Sequence, residues 1–68
     1  MTVNDMEQFI EAHPRVRIQS VVLHGGVRVI VTRQGDGTFI YTLTDTYADR
    51  SIDIDREHAI KLLWMYRA

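Results

Sequence analysis

Residues 15–44, RVRIQSVVLHGGVRVIVTRQGDGTFIYTLT, decide most of what this chain can become. The stretch is rich in β-branched residues and is cut twice by glycine turns, the pattern of strands joined by hairpins. Gly25-Gly26 supplies the positive φ values that a two-residue hairpin turn needs. Such a turn pairs His24 with Val27, Val22 with Val29, Ser20 with Val31 and Ile18 with Arg33. In QGDG, Gly37 is the left-handed residue of a three-residue loop, which sets Val31 against Tyr41 and Val29 against Leu43. Both turns give the same buried face: Val16, Ile18, Val22, Val27, Val29, Val31, Phe39, Tyr41 and Leu43. A slip of one residue reverses every side chain, so this agreement predicts a three-stranded antiparallel meander.

A helix flanks the meander on each side. In TVNDMEQFIEAHP, Val3, Met6, Phe9, Ile10 and His13 recur at helical spacing, with Glu7, Gln8 and Glu11 opposite. Thr2 or Asn4 can cap this helix, with Asp5 or Glu7 as reciprocal partner, and Pro14 stops it. After the meander, DTYADR reads as a loop. SIDID alternates and predicts a short edge strand with Ile52 and Ile54 facing inward. Asp53 or Asp55 caps a final helix through AIKLLWMY. The order is α-β-β-β-(β)-α: one α+β domain over residues 1–68, a three- to four-stranded antiparallel sheet with both helices on its apolar face.

At 68 residues the chain is near the lower limit for folding on one core. It has no cysteine, which removes disulfides and thiolate metal sites. A net charge of −1 lacks the basic excess of a phosphate-backbone binder and the acidic excess of a nucleic-acid mimic. The N-terminus does not read as a signal peptide, and no apolar run approaches the ~20 residues that span a bilayer. The expected setting is the cytoplasm, with no membrane contact.

The residue types that carry catalysis are present without their patterns. His13, His24 and His58 share no zinc-site spacing. Asp45, Asp49, Asp53, Asp55 and Glu57 lack the glycine and closing glutamate of a calcium loop, and helix capping explains them better. Ser20 and Ser51 lie in no nucleophile elbow, and GDG lacks the lysine and following helix of a phosphate loop. No enzyme, cofactor, metal or small-molecule substrate is expected.

Two surfaces remain. Ala59, Ile60, Leu62, Leu63 and Tyr66 fit an arc of roughly 160° at ~100° per residue, which can cover the sheet. Trp64 and Met65 fall beyond its two edges and are candidate protein contacts. On the outer sheet face the predicted register gathers Val21, Ile30 and Ile40, with Leu23 next along and Arg17 and Arg28 nearby. The expected function is non-enzymatic protein binding by a small homodimeric regulator or inhibitor, a size common among bacterial and phage accessory proteins.

The alternative is nucleic-acid binding through Arg15, Arg17, Arg28 and Arg33, the first three on the outer face. The α-β-β-β-α order resembles that of the double-stranded-RNA-binding domain, in which a lysine-rich start of the second helix meets the RNA backbone. Here the corresponding stretch is DREHAIK, acidic and capped by aspartate.

Overall fold

The computed structural model describes residues 1–66. Thr2 starts helix α1 (Val3–Ala12) through a capping box: its hydroxyl accepts from the Asp5 amide and the Asp5 carboxylate accepts from the Thr2 amide. Strands β1 (Ile18–Val22), β2 (Val27–Arg33), β3 (Phe39–Asp45) and β4 (Arg50–Ile54) follow, then helix α2 (Arg56–Met65). Asp55 caps α2 by accepting from the His58 amide at 2.7 Å. The sheet is antiparallel throughout and its spatial order, β1-β2-β3-β4, is the order of the chain. Both helices lie on one face, where Val3, Met6, Ile10, Ala59 and Leu63 close over Leu23, Val29 and Val31.

The second hairpin follows its glycine. Gly37 has φ +89°, and Val31 faces Tyr41 while Val29 faces Leu43. The edge strand also forms, with Ile52 opposite Leu43 and Ile54 opposite Tyr41. Asp45 shapes the turn before it by accepting from the Tyr47 and Ala48 amides.

The first hairpin differs from expectation by one residue. Its loop is His24-Gly25-Gly26, with both glycines at positive φ, and the Leu23 amide donates to the Val27 carbonyl at 2.6 Å. Val21 therefore faces Val29, where a two-residue turn would place Val22. The slip turns Leu23 into the core and packs Val21 against it, while Ile18 and Val22 face out at 55% and 51% exposure. Apolar residues at both parities, in IQSVVL, leave the alternation of this strand indecisive. The docking of α2 settles it: the His24 amide donates to the Tyr66 carbonyl at 2.9 Å.

Two α1 residues exchange their expected environments. Phe9 is exposed and stacks on His13, their centroids 4.1 Å apart. Glu7 is 8% exposed because a buried carboxylate is tolerable once paired, and here its partners converge from β3 and α2.

Candidate functional site

Titratable groups in the interior serve the fold. Arg56 at the start of α2 meets the Glu7 carboxylate through Nε and Nη2 at 3.0 Å each, and the Tyr41 hydroxyl donates to the same carboxylate. Burial disfavours the Glu7 charge, but the hydrogen bonds from Arg56 and Tyr41 and the Arg56 charge outweigh it and hold Glu7 below its usual pKa. Burial and the same carboxylate push the Tyr41 phenol up to about 12. The trio clamps α1, β3 and α2 together.

Arg33 is similarly engaged. Its guanidinium donates to the carbonyls of Ile10 (3.2 Å), Pro14 (2.7 Å) and Val16 (3.3 Å). A cation here suits the negative end of the α1 dipole. Of the three carbonyls only that of Ile10 belongs to the helix, where it also accepts from the His13 amide at 3.3 Å, and the other two tie down the link to β1. Arg33 is thus a structural residue where the sequence suggested a phosphate contact. The register slip also dissolves the expected arginine group: Arg28 stays on the outer sheet face, opposite Val22 and Thr44. Arg17 lies with Pro14, Arg33 and Gln34 at the end of the sheet, and Arg15 sits on the link from α1 to β1.

The histidines lie apart. The His13 Nδ1 donates to the Phe9 carbonyl at 2.8 Å, His24 is exposed on the first hairpin and His58 occupies the first turn of α2. Among the described residues no three histidine or acidic side chains come together as a metal site. No described helix is long and apolar enough to cross a membrane.

Apolar surface is what the structure leaves open. Trp64 is 72% and Met65 62% exposed, and Ile60 and Tyr66 are also exposed. Ile60 and Trp64 sit about 40° apart around α2, four residues along. Together with Met1, Val3, Leu63 and Arg56 they line a groove of about 250 Å³ between α2 and the start of α1. Tyr66 and Leu62 line a second hollow over Leu23, Val27 and Leu43 on the far side of the helix. The expected five-residue arc of α2 thus narrows to Ala59 and Leu63 as its buried line, with Leu62 packed at its margin. Residues Ile60 and Tyr66, expected to cover the sheet, stand at its rims.

The outer sheet face carries a different apolar set from the expected one. Val21 and Leu23 leave it for the core, and Ile18 and Val22 replace them beside Ile30 and Ile40. Ile18 and Ile40 flank Thr32 on neighbouring strands, and Ser20 faces Ile30. No sequence signal fixed this choice, because either parity of β1 gives an apolar side. Comparison with protein-family models, with curated proteins and with solved structures finds no match to this chain.

Proposed function

We propose that this chain is a non-enzymatic protein-interaction module, a small cytoplasmic regulator or inhibitor that acts as a homodimer by surface complementarity. The observation carrying the reading is the exposure of Trp64 at 72% beside a groove in a domain this small. Aromatic side chains bury large areas and dominate interface energetics, so a folded chain gains by covering this one. The groove is apolar along Met1, Val3, Ile60 and Leu63 and has the Arg56 guanidinium at its rim. That suits an aliphatic or aromatic anchor from a partner protein. The ionisable groups support a binding role in another way: Glu7, Arg56 and Arg33 are committed to holding elements together.

The test uses Trp64, the one tryptophan of the chain, as its own reporter. Wild-type protein is used as bait on a cytosolic extract, and every retained candidate is purified and titrated with both wild-type and Trp64→Ala proteins. Direct titration of a true target shifts tryptophan emission to the blue. Trp64→Ala lowers affinity by roughly 2 kcal/mol or more, as interface anchors do, and leaves thermal stability within ~0.5 kcal/mol. Equal binding of purified targets by both proteins would sink the reading.

A further inference from the structure

We infer that two copies of this chain join edge to edge, β1 against β1, antiparallel about a twofold axis at Ser20. The inference rests on the homodimer reading above and names its interface. Strand β1 stands at the edge of the sheet. The Leu23 amide donates to Val27 and the Arg33 amide to the Arg17 carbonyl, so odd-numbered residues of this segment turn their backbone toward β2. Antiparallel alternation then points the amide and carbonyl of Ile18, Ser20 and Val22 away from the sheet. The side chains of these three residues are exposed as well.

Proteins protect a free edge with charge, proline or a bulge. Ile18–Val22 has no charged residue and no proline, whereas β4 at the opposite edge carries Arg50 and Asp53. The strand is also self-complementary. Setting Ser20 against Ser20 of the second copy places Ile18 against its Val22 and Val22 against its Ile18. These are hydrogen-bonded pairs, about six bonds in all, and they satisfy every outward backbone group of the strand. Arg17 falls opposite Leu23 of the second copy, so the two guanidinium groups lie at opposite ends and no like charges meet. Sliding the register by two residues leaves an outward amide and carbonyl of each strand beyond the pairing. The symmetric register also brings the Ile18 and Val22 side chains of both copies together on the outer face, extending the apolar patch across the axis. An interface of five residues a side is small beside the ~1,200 Å² of a stable complex, so the dimer forms reversibly and grows with concentration.

Sedimentation velocity over a concentration series tests the association, and cysteine cross-linking tests the register. The chain has no native cysteine. Ser20→Cys places two thiols at about 5.5 Å between Cα atoms, within disulfide reach. Ile18→Cys leaves them roughly 14 Å apart along the strands. Mild oxidation is expected to give a covalent dimer from Ser20→Cys and not from Ile18→Cys. Ser20→Lys, whose side chain and amide point to solvent, sets like charges face to face and weakens association severalfold, up to about fivefold, with its melting temperature retained. A dimer whose affinity Ser20→Lys leaves unchanged, or that cross-links equally at both positions, overturns the β1 interface and leaves the homodimer standing. A monomer at every concentration removes the homodimer and this interface together, with target binding by α2 still to be judged by its own titration.

Discussion

Tyr41 fastens the sheet to both helices only while its phenol keeps its proton. Burial, with the hydrogen bond to Glu7 and the charge on that carboxylate, raises its pKa from 10.0 to about 12. The unfolded chain ionises the same phenol near pH 10, so between these values the folded state holds more protons. The stability that Tyr41 contributes is therefore complete below about pH 10 and disappears as the pH climbs towards 12. Two units correspond to about 2.7 kcal/mol at 1.36 kcal/mol each. Tyr41 is partly exposed, and solvent screening brings this to about 1–2 kcal/mol. In a small domain with roughly 3–5 kcal/mol of net stability, that is a large share. It equals a fall in melting temperature of roughly 4–16 °C. Urea unfolding from about pH 8 to about pH 12, in wild type and Tyr41→Phe, measures it, with tyrosinate absorbance reporting ionisation. Tyr41→Phe is expected to start about 1–2 kcal/mol lower and to lose less on the alkaline side. Parallel loss in the two proteins would refute the reasoning. Glu7 works with opposite sign: its pKa is held below the ordinary 4.5, so its contribution is present above that pH and fades as acid carries the pH through the lowered value.

Two further substitutions probe the turns and the helix end. Gly26→Ala is expected to destabilise somewhat more than Gly25→Ala, because the exposed Tyr47 ring must swing aside. Both positions have positive φ, costing alanine about 1 kcal/mol, but only at Gly26 would a Cβ run into the Tyr47 ring. Comparable melting temperatures for the two variants would show that ring to be unimportant. Arg33→Met keeps the aliphatic stem and removes the donors to Ile10, Pro14 and Val16, at an expected cost of about 1.5–3 kcal/mol by urea unfolding. A loss under 0.5 kcal/mol would mean that water replaces the guanidinium at no cost.

The element order could be read from the chain because each boundary had its own local chemistry. Thr2 with Asp5, Asp55, Gly37 and the alternation of SIDID each mark a start or turn that needs no distant partner. The parity of β1 had no such marker. IQSVVL offers an apolar residue at both parities, and two adjacent glycines serve a two- or three-residue loop equally well. The docked Tyr66 carbonyl and the space for Leu23 decide between them, and both depend on α2. Glu7 escaped for a similar reason. A glutamate on the polar side of a helix reads as solvated until Arg56, 49 positions later, is brought beside it. The exposure of Trp64 and Met65, by contrast, follows from their angular positions on α2, which the spacing alone supplies. Arg15, Arg17 and Arg28 did not keep their expected common face, because for β1 that face was defined by the mistaken parity. Arg33, the fourth of the group, binds backbone carbonyls.

A sheet whose spatial neighbours are all chain neighbours has a kinetic corollary. Each hairpin can close over a short loop, so the entropy of bringing distant segments together is deferred to the union of Glu7 with Arg56 and of His24 with Tyr66. The meander is thus the part expected to assemble early. The seating of the terminal helix is expected to be the late event.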